Sequence, residues 1–151
     1  MQRKVRGVSL LEMLLVIALL AAISVVAAGA MTGGFAGMQL RSEAKRITAQ
    51  LRYTRTQAIA TGQPQRFTID PQGRTWTAPN DRHGYIPEKL GITFTGAREV
   101  QPRRGEGAIV FFPDGASTGG RVQLSARQAA MNIDVTWLTG EVRLRRGEVQ
   151  R

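Results

Sequence analysis

Few residues in this sequence are of types that do chemistry. The acids Asp70, Asp114 and Asp134 are scattered among turn-forming and strand-forming stretches, not gathered into a pair suited to general acid–base work. Asp114 precedes a glycine in a turn, where its carboxylate is expected to bond nearby backbone amides. His83 is the single histidine and there are no cysteines. That excludes a multi-histidine or thiolate metal site, a disulfide framework and a cysteine nucleophile. Ser117-Thr118-Gly119-Gly120 is glycine-rich but lacks the lysine and the following helix of a phosphate-cradling loop. Neither a catalytic residue nor a cofactor nor a metal is expected.

Two sets of charges ask for a different explanation. One is Glu12, the single charge in the 24 residues from Val8 to Met31. As a helix this run spans roughly 36 Å, enough for a hydrocarbon layer of about 30 Å. A charged side chain in a membrane helix costs up to about 2.5–3.5 kcal/mol at its centre, and less near one end. The other set is basic: Arg143, Arg145 and Arg146 near the C-terminus, and Arg103-Arg104 before them. The formal net charge is +10, and without Arg3, Lys4 and Arg6 the chain still holds 18 basic against 11 acidic residues. Such a surface suits nucleic acid, anionic lipid or an acidic protein, and charge alone does not choose among them. A solvated strand end explains Arg143 to Arg146 equally well.

The elements that position these charges follow from periodicity. The basic residues precede the apolar run, so the N-terminus is expected to stay cytoplasmic while the remainder is exported. A cleaved secretory signal is a competing reading, with small residues at Ala27, Ala28 and Ala30, although its apolar region is usually about 7–15 residues. A plain membrane anchor is another, and gives no reason for the acid. Ser9-Leu10-Leu11-Glu12 also has the spacing of a capping box at a helix start. After a stretch containing Gly29, Gly33, Gly34 and Gly37, expected to kink or loosen the helix, Leu40, Ala44, Ile47, Leu51 and Ala58 or Ile59 recur three or four apart. Arg41, Lys45, Arg46, Arg52 and Arg55 occupy other faces and read as a solvated side. Gly62 and Pro64 mark the stop.

Beyond that stop the pattern becomes β-like. Strands are expected over Arg66–Ile69, Thr75–Thr77, Ile92–Thr95, Ile109–Phe112, Val122–Leu124, Ile133–Leu138 and Val142–Leu144, with a tight hairpin at Thr139-Gly140. Trp76 and Trp137 read as core or interface residues. The fold class is α+β, a long helix, hydrophobic and then amphipathic, packed on an antiparallel β-sandwich-like head.

Gly7-Val8-Ser9-Leu10-Leu11-Glu12, after a short basic leader, resembles the leader motif of type IV pilins and type II secretion pseudopilins, with Val8 where the family usually has Phe. The resemblance implies that a prepilin peptidase cuts between Gly7 and Val8 and that the new amine of Val8 is methylated. It implies too that Glu12 of an incoming subunit meets a neighbour's N-terminal amine during assembly. Ile109-Val110-Phe111-Phe112-Pro113-Asp114-Gly115-Ala116-Ser117-Thr118-Gly119-Gly120, the later Val135-Thr136-Trp137-Leu138-Thr139-Gly140, and the helical Leu51–Ile59 stretch are similar to the GspH/FimT family of pilin-like proteins.

That resemblance implies one of two structural roles. The first is the H-type minor pseudopilin of type II secretion. It joins other minor pseudopilins and the major pseudopilin near the tip of a pseudopilus that helps export folded proteins across the outer membrane. The second is a FimT-like minor type IV pilin that binds DNA during natural transformation. Those members resemble one another in a Gly-Arg-x-Arg motif, matched here by Gly140-Glu141-Val142-Arg143 with an acid for the first arginine. The expected organisation is a cleaved leader over 1–7, a transmembrane and assembly half of the helix over 8–31, its amphipathic half over 32–62, and a periplasmic β-rich head over 63–151. The expected location is the bacterial inner membrane, crossed once.

Overall fold

The computed structural model describes residues 9–96 and 105–148, and over 28–34 the helix backbone alone. The leader, Gly7 and Val8, and the Arg103-Arg104 cluster lie outside the described residues. Contacts divide the chain into two units, one ending at Phe35 and the other starting at Ala36.

Helix α1 runs over Leu10–Thr61. Ser9 sits at its N-cap, its carbonyl accepting the first helical bond from the Met13 amide at 3.2 Å. Glu12 falls in the first turn, where a negative charge faces the positive end of the helix dipole. The glycine-rich stretch stays within the helix. Gly62, at φ +65°, ends it in the left-handed conformation that glycine adopts without steric cost.

In the first unit every described side chain of the helix over Leu10–Ala27 is exposed. This segment has the length and composition to cross a membrane. It is apolar on all sides, the pattern of a helix whose surroundings are lipid or other helices. Ser24 satisfies its hydroxyl locally by donating to the Leu20 carbonyl at 2.8 Å.

The second unit is the α+β head. Its strands are β1 Gln65–Asp70, β2 Thr75–Ala78, β3 Arg82–Tyr85, β4 Gly91–Gly96, β5 Gly107–Phe111, β6 Gly120–Ala126, β7 Ala129–Val135 and β8 Val142–Gly147. They form two four-stranded sheets, ordered β3-β2-β1-β5 and β4-β6-β7-β8. Each pairing is antiparallel.

The helical ridge Leu40, Ala44, Ile47, Leu51 and Ala58 is buried with Phe67, Ile69, Ile109 and Phe111 of the first sheet. Val122, Leu124, Ile133 and Val142 of the second join the same core. Ala58, not the half-exposed Ile59, completes the ridge. Thr48 and Thr54 are buried beside it, their hydroxyls donating to the carbonyls of Ala44 at 2.7 Å and Gln50 at 2.8 Å. That internal bond is why a threonine fits a core-facing helical position.

Three details depart from the sequence expectations. β3 went unpredicted, because Arg-His-Gly-Tyr is polar and interrupted by glycine; it survives as an exposed edge strand on β2. The strand expected over Ile133–Leu138 instead begins at Ala129 and ends at Val135, placing Trp137 and Leu138 in the following loop. That loop is no tight hairpin. It spans Thr136–Glu141, closed by the Thr136 amide donating to the Glu141 carbonyl at 3.0 Å and the Gly140 amide to Thr136 at 2.8 Å.

Candidate assembly site

The motifs singled out in the sequence meet at one end of the head. The Ser117 amide donates to the Trp137 carbonyl at 2.8 Å, and the Ser117 hydroxyl to the Thr136 carbonyl at 3.1 Å. The same hydroxyl accepts the Gly119 amide at 3.0 Å. The β5–β6 connection is thereby stitched to the β7–β8 loop. Helix α1 fastens both: Arg55 Nε donates to the Gly115 carbonyl and Arg52 Nη2 to the Val142 carbonyl, each at 3.1 Å.

Gly140 lies between these parts at φ +60°. A β-carbon there would run into the Gly115 carbonyl oxygen and sit 3.0 Å from Arg55 Nε. Only glycine meets both demands.

Arg52 and Arg55 were expected on a solvated side with Arg41 and Lys45. Arg41, Lys45, Arg46 and Arg52 are exposed and Arg55 is partly buried, and Arg52 and Arg55 in addition tie the helix to the loops. Arg46 lies over the Trp76 ring, 5.4 Å from its centroid. Arginine suits such positions because its fork gives several donors around one fixed charge. Sequence periodicity placed these residues off the ridge and gave no sign of partners so distant along the chain.

What this construction holds outward is apolar. Trp137 is 67% exposed and Leu138 63%. Phe112 on the stitched connection, and Ile59 beside Gly115, are exposed as well. Of the two tryptophans, Trp76 is buried against Phe67 while Trp137 stands on the surface.

The candidate acids are each engaged in local structure. Asp70 accepts the amides of Gln72 and Gly73, both at 2.9 Å, and Asp114 accepts that of Ala116 at 3.0 Å. Asp134 pairs with Arg121 across the strands. Among the described residues no group of His, Asp or Glu is arranged to hold a metal ion.

The basic residues near the C-terminus do not share one face. Alternation along β8 puts Arg143 and Arg145 on the side away from buried Val142, and Arg146 on the same side as Val142 and Leu144. Arg146 borders a hollow with Gly37, Leu40 and Arg41, at the opposite end of the head's helix from Arg55. Arg143 is paired with Glu141 at 2.7 Å. The hydrogen bond from Arg143, chiefly, with the positive charges of Arg143, Arg145 and Arg52, holds the Glu141 carboxyl below its ordinary value.

Residues 43–140 match the family described as type II transport protein GspH. The chain belongs to the GspH family. This GspH-family chain is 63% identical over 142 residues to type II secretion system protein H of Xanthomonas campestris pv. campestris, covering 94% of itself and 84% of that protein. Its fold is similar to the minor pseudopilin EpsH of Vibrio cholerae, with TM-score 0.58, 14% identity and coverage of 72% and 97%. It is also similar to the type IV minor pilin FimU of Pseudomonas aeruginosa, with TM-score 0.53, 14% identity and coverage of 70% and 87%. A GspH-family chain this close to a secretion protein H is a minor pseudopilin of the type II secretion system. Its motifs make up the stitched end of the head.

Proposed function

We propose that this minor pseudopilin is stored in the inner membrane by the apolar half of α1 and drawn from there into a pseudopilus. There it serves as a structural subunit of the tip region, beside other minor pseudopilins and the major pseudopilin. It performs no catalytic step of its own. In this reading a prepilin peptidase removes Met1–Gly7 and the new N-terminus at Val8 is methylated. The N-terminus stays cytoplasmic and the head enters the periplasm.

One observation carries the reading: a helix apolar on all sides over Leu10–Ala27, with one acid, Glu12, in its first turn. The apolar surface requires lipid or other helices around it. The helix dipole and the Ser9 cap favour the acid at this helix start, and a cation meeting it there would offset the cost of an acid beside an apolar run. A newly cut α-amine has a pKa of about 7.7–8.0 and is mostly cationic at neutral pH. Glu12 paired with the amine of a neighbouring subunit fixes the axial register of the helices, since an unpaired charge in that setting is penalised.

The nucleic-acid role has weaker support. Glu141 stands where the first arginine of the Gly-Arg-x-Arg motif would be and is paired with Arg143, while Arg146 lies on the other side of β8. Phosphate binding by Arg143 and Arg145 would give steeply salt-dependent retention of duplex DNA by the full chain, flattened by replacing both.

The test is Glu12→Ala in cells carrying the secretion system. The variant is expected to insert into the membrane at the normal level but to be depleted from sheared pseudopilus fractions. Recovery there at the level of the unaltered chain would remove the assembly role of Glu12.

A further inference from the structure

The geometry points to the stitched end of the head as the docking face for a different, acidic pseudopilin, one that offers an apolar hollow to Trp137 and Leu138 and a carboxylate to Arg52 and Arg55. This deepens the structural-subunit reading and rests on it.

Trp137 and Leu138 are the most exposed large apolar side chains among the described residues of the head. They are not on a slack loop. The Trp137 carbonyl is held by the Ser117 amide and its β-carbon lies against Gly119, while Gly140 closes the loop onto Thr136. A side chain presented by fixed backbone loses little further freedom when it enters a partner, which favours it as an anchor. Tryptophan and arginine dominate the energetics of such contacts.

The charges beside the anchor select the occupant. Arg52, Arg55, Thr56, Thr139 and Glu141 line a hollow next to the Trp137–Leu138 loop. Arg52 and Arg55 each give one N–H to a neutral backbone carbonyl, which leaves further donors open. Glu141 is bonded to Arg143 and also feels the charge of Arg52, so a single carboxylate, already shared with Arg143, stands against the two guanidinium groups of the hollow. The hollow is therefore positive, and its hydroxyls and guanidinium groups suit a carboxylate. A second copy of this chain in a two-fold pairing would set Arg52 and Arg55 against their own equivalents, and like charges across an interface suppress such a partner. From Ala36 onward the chain holds 18 basic and 10 acidic residues, so the whole head repels itself and attracts an acidic neighbour.

The chain has no cysteine, so Leu138→Cys gives it a single thiol at the anchor. The full-length variant is expressed in cells carrying its secretion system, labelled with a benzophenone maleimide and irradiated. Gln128→Cys, exposed on the β6–β7 turn, is the control. The expected result is a light-dependent adduct between position 138 and another pseudopilin, absent from position 128. Added Trp137→Ala, which keeps the β-carbon against Gly119, or Arg52→Gln should lower the affinity of purified full-length chain for that pseudopilin by about tenfold or more. Unchanged melting of these variants separates lost docking from lost folding. An adduct with a second copy of this chain, or with a protein that is not a pseudopilin, overturns the proposal. So does the absence of any adduct from a chain recovered in the pseudopilus. A chain never recovered there removes the subunit reading and this inference together.

Discussion

The two halves of α1 are both apolar, yet they are apolar for different reasons. From Leu40 to Ala58 the apolar side chains form one ridge, buried beneath two sheets, with basic residues on the other sides. From Leu10 to Ala27 they surround the helix and are exposed throughout. One half gets its burial from the rest of the same chain. The other must get it from lipid or from neighbouring subunits, since nothing in the described fold covers it. Periodicity thus separates the part of a helix that specifies a fold from the part that specifies an environment.

The sharpest way to break this division is to remove equal amounts of side chain from each half. Ile47 is fully buried, and Ile47→Ala should cost about 2–5 kcal/mol of head stability through lost burial and the cavity left behind. Ile17 is 61% exposed, and Ile17→Ala should leave the melting of the head in detergent where it was. Thermal unfolding followed by near-ultraviolet circular dichroism measures both. A comparable loss from Ile17→Ala would mean that the first half also belongs to the folded core.

The same contrast explains what the sequence made legible. The ridge, the Gly62 stop and most strands follow from alternation and turn residues, because those are local consequences of burial on one side. The stitched end of the head does not. Its motifs were visible as Pro-Asp-Gly…Thr-Gly-Gly and Trp-Leu-Thr-Gly, but the bonds that join them link Arg55 to Gly115 and Ser117 to Trp137, and no periodicity relates such positions. β3 was missed because an exposed edge strand needs no apolar alternation. The β6–β7 turn was missed because Arg127 takes φ +55° without any glycine or asparagine to announce it. Glu12, conversely, was legible as a residue out of place, and the fold supplies it with no partner among the described residues.

A smaller effect sharpens the picture within the head. Gly140→Ala forces a β-carbon onto the Gly115 carbonyl at a backbone angle that alanine adopts at a cost. The expected loss is on the order of 1–3 kcal/mol, read as a lowered denaturation midpoint. The apolar half of the helix should still insert normally into membranes. If the midpoint stays unchanged, the loop shifts freely and does not hold Trp137 in place.

The smallest effect compares one acid from each region. Glu12 has no basic partner among the described residues, whereas Glu141 has one in Arg143. Because the hydrogen bond from Arg143 favours the charged carboxylate, Glu141 titrates below its ordinary 4.5 in the fold. The sign follows from that direction: the pair's contribution is present above the ordinary carboxylate value and is lost as pH falls through the lowered one. Both side chains are about half exposed, so the contribution to stability is slight and the titration itself is the better observable. Arg143→Ala should move the carboxyl resonance of Glu141 back toward its ordinary midpoint, with Arg145 and Arg52 retaining part of the shift. An unmoved midpoint would mean that Arg143 is not bound to Glu141 in solution. Its charge would then be available to an outside ligand, which is the condition the nucleic-acid role needs.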